Sequence, residues 1–365
     1  MMTFFKEFKD RDLAVHFIEK IKTVSRKKIR LMEVCGTHTV SIFKSGIRSV
    51  LPDTISLISG PGCPVCVTSQ EEIDAFISLS RLDNVILTTF GDLIRVPGTE
   101  SSLQEEKAKG VDVRMVYSTS DALLIAKKNP DKHVVFPGVG FETTAPTVAA
   151  AILSAARLKV SNFYVYSAHK LVPPALTALM ALSSGNIDGF ILPGHVSVMI
   201  GTDGYRPFFD TFKLPCAITG FEPVDILRAV LAVVTQIEYG KPSLFNAYER
   251  AVRIEGNPKA MSLMARVFEK KDALWRGIGK IPESGLAIRE EFSAFDAANR
   301  FQIILPEKKD HNGCACGEIL IGNKTPPECP LFRKACTPLH PFGPCMVSTE
   351  GTCSAYYRYH KEPGN

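Results

Sequence analysis

Eight short apolar runs, most of them rich in β-branched residues and each cut off by glycine, proline or a reactive side chain, constrain this chain more than any other feature. "IRLMEV" runs into "CGTHT", "TISLIS" into "GPGCPVC", "NVILTT" into "FGD" and "VRMVY" into "STSD". The rhythm resumes with "HVVFPG" before "VGFETTAP", "NFYVYS" before "AHK", "GFILPG" before "HVS" and "CAIT" before "GFEP". Helical patterns such as "EEIDAFISLSRL" and "TVAAAILSAARL" separate several of them. Strand, loop and helix in alternation predict a mostly parallel α/β sheet, in which functional loops gather at the carboxyl ends of the strands. Most of the reactive residues occupy those loops.

The runs fall into two sets of four, which predicts two similar α/β domains at 28–121 and 122–237 with a cleft between them as the default site. An amphipathic helix opens the chain: Phe4, Phe5, Phe8, Leu13, Phe17, Ile18 and Ile21 recur near helical spacing. Beyond about 238 the strand rhythm fades into helix-like segments ("NAYERAVRI", "AMSLMARVFEKK") and a cysteine- and proline-rich tail, read as a third unit over 238–365.

With 43 basic and 38 acidic residues the formal charge is only +5, too small a bias to suggest nucleic acid or a membrane surface as partner. The charged start "MMTFFKEFKDRDLAVHF" lacks the apolar core of an export signal, and the longest apolar stretches fall well short of a membrane span, so a cytoplasmic protein is expected. In such a chain ten clustered cysteines point to metal binding or redox chemistry rather than to disulfide staples.

Cys63 and Cys66 form a CxxC in "GPGCPVC", directly before "VTSQEEIDAF", where Ser69 and Glu72 fit a capping box. A helix N-terminus stabilises a thiolate and the two-residue gap lets the sulfurs meet, so the motif suits dithiol chemistry, with Cys66 biased toward thiolate. Half a zinc site or a tight structural turn are the alternatives, and no second CxxC completes a zinc set. Cys35 and His38, three residues apart in "CGTHT", suit one soft metal ion or each other as nucleophile and base. Glu142 in "GFETTAP" is either a reactive carboxylate or a first-turn residue complementing a helix dipole. His169 and His195 share the same strand-end address, and Cys216 reads as a buried structural thiol.

The tail places Cys314, Cys316, Cys329, Cys336, Cys345 and Cys353 within 40 residues. Four thiolates can hold a 4Fe-4S cluster and leave two for a disulfide, whereas a zinc module usually shows paired CxxC knuckles.

These motifs together, "MEVCGTHT", "GPGCPVCVT", "TFGDLIRVPG", "GFETTAP", "AHKLVPPA", "PGHVSVMIG", "WRGIG" and the cysteine tail, resemble the HypD family of hydrogenase formation proteins over nearly the whole chain. The resemblance implies two Rossmann-like α/β domains around a cleft, a C-terminal iron-sulfur domain similar to that of ferredoxin:thioredoxin reductase, and an N-terminal helix, 1–27, packing on that unit. It implies a scaffold that, with a small HypC-type chaperone, holds iron while it gains two cyanides and one carbon monoxide, the cyanide coming as an enzyme-bound thiocyanate on a HypE-type donor. The Fe(CN)2CO unit then passes to the NiFe hydrogenase large subunit. Cys35 matches the family's proposed iron ligand, with His38 beside it, and Cys63 and Cys66 match its dithiol. By analogy with the reductase, Cys314, Cys329, Cys336 and Cys353 hold the cluster and Cys316 and Cys345 remain as a redox pair, although the spacing departs from the reductase's.

On this reading electrons pass from the cluster through Cys316 and Cys345 to Cys63 and Cys66 and so toward the iron, each dithiol carrying two. A free-standing 4Fe-4S thiol-disulfide oxidoreductase, with Cys35 incidental, is the rival expectation, and a zinc-stabilised binding protein the blander one.

Overall fold

The computed structural model describes residues 10–183, 186–307 and 313–360. All eight apolar runs form strands: β1 Ile29–Glu33, β2 Ile55–Ser59, β3 Val85–Thr89, β4 Val113–Met115, β5 His133–Gly138, β6 Phe163–Ser167, β7 Gly189–Leu192 and β8 Cys216–Ile218. A ninth, β9 Leu244–Asn246, was not anticipated. The strands make two parallel sheets, one in the order β2-β1-β7-β8-β9 and one in the order β4-β3-β5-β6. Most of them are buried nearly throughout, as strands covered by helices on both faces must be.

The sheets correct the sequential division at 121. Strands β3 to β6 form the second sheet as an insertion, and β7 returns to pair with β1 through Leu31 and Gly189. A parallel pair needs only a crossover that brings the chain back alongside, so strand rhythm names the strands without naming their sheet.

The first helix, Arg11–Val24, is capped by the Asp10 carboxylate, which accepts from the N–H of Asp12 and Leu13. It packs on helix Pro223–Tyr239, where Ile21 shares a core with Ile226, Val230 and Val233, rather than on the C-terminal unit as expected. The Glu238 carboxylate fixes the chain as it leaves this helix, accepting from the N–H of Arg26 and Lys27 at 2.6 and 2.8 Å. Phe4, Phe5 and Phe8 lie outside the described residues.

The third unit also differs from its reading. "NAYERAVRI" is the end of β9 and a set of turns rather than a helix, while helix Pro258–Val267 falls where a helical pattern was seen. An antiparallel hairpin, β10 Phe268–Trp275 and β11 Gly279–Ile288, follows it. Its sequence hides it: "FEKKDALW" exposes four residues in a row, so the two-residue alternation of a half-buried strand is missing.

This hairpin is a wedge between the two sheets. Trp275 bridges to Thr68 beyond the CxxC, Gly285 bridges to Lys170 beyond β6, and the Leu171 N–H donates to the Ser284 carbonyl at 2.8 Å. Beside it, Lys170 is buried and donates to Glu72 at 2.6 Å, joining the end of β6 to the helix that follows the CxxC. Burial pulls the Lys170 ammonium's pKa down and Glu72 pulls it back up. Lys170→Met leaves the Glu72 carboxylate without its cation in a largely dry seam. It is expected to lower unfolding free energy by about 3 kcal/mol, read as a lower urea midpoint, with Lys170→Met/Glu72→Gln recovering part of the loss.

Candidate functional site

The carboxyl ends of β1 and β2 meet at backbone distance. The Gly36 N–H donates to the Gly62 carbonyl at 3.0 Å and the Gly60 N–H to the Glu33 carbonyl at 2.8 Å. A Cβ on Gly62 would lie 2.1 Å from the Cys35 nitrogen, so only glycine lets the "GPGC" turn reach the Cys35 loop. Gly36 faces the same restriction from the C-terminal unit, where a Cβ would lie 2.6 Å from the Glu350 carbonyl oxygen.

Cys35 precedes helix Gly36–Lys44, and the backbone N–H groups of Thr37 and His38 point at its sulfur. Burial outweighs them and pushes the thiol up to about 12. A soft cation at the sulfur would reverse that balance, since coordination deprotonates a thiol. His38 Nε2 lies 2.9 Å from the Gly220 carbonyl, an acceptor only, so Nε2 carries the proton and Nδ1 keeps a buried lone pair with no partner among the described residues. Burial lowers this imidazole's pKa to about 4 and keeps it neutral. Across Phe221, which lies 4.9 Å from the His38 ring and 4.0 Å from the His195 ring, solvent-exposed His195 completes the wall.

Glu33 was missed from sequence. It is fully buried at the end of β1, accepts from the Cys35 N–H at 3.2 Å and from the Thr39 hydroxyl, and its carboxyl is raised by burial to about 7. Its signal is an acidic residue at the buried end of a strand, two places before a cysteine.

Cys63 caps the short helix Pro64–Val67, its sulfur accepting from the Cys66 N–H at 3.3 Å. This corrects the expectation for Cys66: it sits inside that short helix rather than before the next, and burial and the neighbouring thiols raise its pKa far above the ordinary value. The favoured thiolate is Cys345. The neighbouring Cys316 and Cys66 thiols, with the Arg276 charge nearby, lower its pKa. The Cys316 and Cys345 sulfurs lie 3.3 Å apart. Arg276, in the "WRGIG" turn of the hairpin, is held by the Thr68 carbonyl and the Gln70 side chain, both at 2.8 Å. The four redox-assigned thiols therefore form one contiguous line.

That line ends at a small cavity walled by all six tail cysteines together with Ile319, Leu331, Phe332, Gly343 and Met346. Among the described residues no three ligating side chains converge on a single ion. Sulfurs ringed around an apolar hollow suit a polynuclear centre better than a mononuclear one, and soft thiolates are the donors that iron-sulfur clusters take. Peptide N–H groups also point at the sulfurs: Phe342 donates to Cys336 at 3.4 Å, and the Cys316 N–H to Cys314. The residues present fit a 4Fe-4S cluster.

Glu142 stands apart from the thiols. It lines a largely apolar cavity of about 430 Å³ with Pro173, Pro207, Phe208 and Met261. One carboxylate oxygen accepts from the Val172 N–H at 3.0 Å, while the other is buried without a partner among the described residues. His169 belongs to the core, its Nδ1 3.0 Å from the Ser167 hydroxyl. Cys216 is buried at the start of β8, bonded to the Leu214 carbonyl and away from the functional edge.

The HypD family model, described as the hydrogenase formation hypA family, matches residues 12–360. The chain is 44% identical over 355 residues to a putative hydrogenase expression/formation protein of Methanocaldococcus jannaschii, covering 96% of this chain and 98% of that one. It is 43% identical to the hydrogenase maturation factor HypD of Azotobacter vinelandii, covering 99% and 98% of the two chains, and 40% identical to that of Escherichia coli, covering 99% of both. No described helix is long and apolar enough to cross a membrane.

Burial raises the Glu142 carboxyl to about 7, so between about 4.5 and 7 the folded protein holds a proton that the unfolded chain releases. The associated stability is full below about 4.5 and lost as pH rises through 7. Glu142→Gln removes this dependence. Urea unfolding at pH 5 and pH 8 is expected to show the variant gaining about 1–3 kcal/mol on the wild type at the higher pH.

Proposed function

The chain belongs to the HypD family of hydrogenase maturation factors, and on that premise we propose that it is a scaffold on which an iron ion, as cargo, acquires its cyanide and carbon monoxide ligands. The observation that carries the reading is the unbroken line of thiols from the tail cavity through Cys316, Cys345, Cys66 and Cys63 to the loop bearing Cys35. A HypC-type chaperone would supply a second thiolate to the iron, a HypE-type donor would bring cyanide as a thiocyanate, and a NiFe hydrogenase large subunit would take the product.

Low-spin iron with such ligands needs a soft, electron-rich donor shielded from water. Cys35, 6% exposed, meets that need once a cation replaces its proton, and His38, three residues on, offers a buried Nδ1 lone pair with no partner among the described residues. Glu33, half-protonated near pH 7, can take up or release the proton that the thiol loses.

Release of cyanide from a thiocyanate takes two electrons. Cys63 and Cys66 supply them by closing to a disulfide; the carrier sulfur takes one proton and the second leaves with cyanide or to solvent. Cys345 reopens that disulfide: its thiolate attacks Cys66, Cys63 leaves and is protonated, and Cys316 then attacks Cys345 to release Cys66. Cys314, Cys329, Cys336 and Cys353 would hold the 4Fe-4S cluster, which when bound supplies electrons singly to the Cys316–Cys345 disulfide.

Anaerobically purified Cys35→Ala, in complex with the chaperone, is expected to keep the brown iron-sulfur absorption and lose the infrared stretches of iron-bound cyanide and carbon monoxide. Retention of those stretches would rule out Cys35 as an essential ligand. Cys329→Ala is expected to lose the absorption that Cys316→Ser keeps, which separates cluster ligand from redox thiol.

A further inference from the structure

Closing the Cys63–Cys66 disulfide expels two protons from a pair that is 4% and 0% exposed, and no water-facing base lies in the CxxC turn itself. The motif "TFGDLIRVPG" had no role assigned from sequence, and it supplies one. Asp92, at the carboxyl end of β3 in the second sheet, is half-buried with its carboxylate at the protein surface. Its Oδ2 accepts from the Ser348 hydroxyl at 3.4 Å, from the Thr349 N–H at 3.3 Å and from the Thr349 hydroxyl at 3.4 Å. The Ser348 hydroxyl in turn accepts from the Cys63 thiol at 3.4 Å and from the Glu350 N–H at 3.3 Å.

The heavy-atom geometry lets this chain run outward. The thiol donates to the hydroxyl, and the hydroxyl donates to the carboxylate. The bonds are long, as catalytic hydrogen bonds often are before substrate tightens them. We infer that Ser348 and Asp92 form a proton exit for the dithiol, with Asp92 as the general base that acts on Cys63 through Ser348. The inference deepens the proposed function and rests on its reading of Cys63 and Cys66 as a reactive pair.

The step balances. A disulfide oxidant loses its S–S bond as the Cys63–Cys66 bond forms. Two electrons pass to the oxidant's sulfurs. The Cys63 proton travels from sulfur to the Ser348 oxygen while the serine's own proton passes to Asp92 and on to water, which protonates the first oxidant thiolate to leave. Cys66 then attacks the mixed disulfide at Cys63, and its proton goes to the second oxidant thiolate that it displaces. The other charged groups facing this path are few: Arg95 on Asp92's own segment, which donates to the Val347 carbonyl at 3.3 Å, and Glu350, engaged by the Thr37 hydroxyl at 2.7 Å. Cys345 lies beside Cys66, at the far end of the pair, and Arg276 beside Cys345.

The test follows the rate of Cys63–Cys66 disulfide formation in the full-length anaerobic protein mixed with oxidised lipoamide, identified by peptide mass spectrometry. With the relay, the wild-type rate varies little between pH 6 and 8, because the base rather than hydroxide removes the proton. Asp92→Asn, nearly isosteric, is expected to be slower by about ten- to a hundredfold at pH 7. Its rate should rise about tenfold per pH unit, as prior ionisation of the thiol takes over. Added formate should restore part of the loss, and Ser348→Ala should match Asp92→Asn while Ser348→Thr stays near wild type. An Asp92→Asn protein with wild-type rate and pH profile overturns the relay and leaves the dithiol reading intact. A wild-type protein that forms no Cys63–Cys66 disulfide overturns both.

Discussion

The arrangement depends on two places where backbone meets backbone with no room for a side chain. Gly62 lies against Cys35, and Gly36 lies against Glu350. The first contact brings the CxxC turn of β2 to the Cys35 loop of β1. The second lays the segment between Cys345 and Cys353 over the same loop. Thiols carried by three distant parts of the sequence can then sit in line because the chain between them has been stripped to its main-chain atoms. Close approach of this kind costs sequence freedom rather than enthalpy, since any Cβ at these two glycines would fall inside the van der Waals radius of the facing backbone.

Electrostatics then differentiates thiols that are chemically alike. Burial alone would hold all of them protonated, and for Cys35, Cys66 and Cys316 it helps to do so. Cys345 escapes because the neighbouring Cys316 and Cys66 thiols and the Arg276 charge lower its pKa, so negative charge is favoured at the sulfur where the two dithiols meet. An exchange relay needs its attacking sulfur ionised and its leaving sulfur able to take a proton. Asymmetry of environment thus sets Cys345 apart from its neighbours without any difference in residue type.

How much of this was legible beforehand depended on the range of the interaction. The strands of the two parallel sheets up to β8, the Ser69 and Glu72 capping box and the clustering of reactive residues at strand ends are local, and periodicity and capping chemistry announce them. Membership of a sheet is not local: nothing between residues 28 and 60 says that β1 will pair with a strand 158 residues away at Gly189. The hairpin that wedges the sheets apart was hidden for a third reason, because its burial is decided by Thr68 and Lys170 rather than by its own alternation. Glu33, Asp92 and Ser348 are ordinary residues singly; only their neighbours give them work.

The position of the thiol line also explains why an insertion is a useful topology here. Because β3 to β6 are threaded between two parts of the first sheet, the chain crosses the seam between sheets more than once, at the CxxC, at the end of β6 and at the hairpin. Each crossing pins the seam, through Lys170 and Glu72 or through Trp275 and Thr68. Disulfide exchange along such a line would tolerate little relative movement, since it requires sulfurs in contact and aligned. Asp92 reaches the same seam from the second sheet and Ser348 from the C-terminal unit, so the exit route for protons exists only while all three parts are docked. Proton release from the dithiol is thereby tied to the assembled state of the molecule, and an undocked tail would leave Cys63 both without its reductant and without its base.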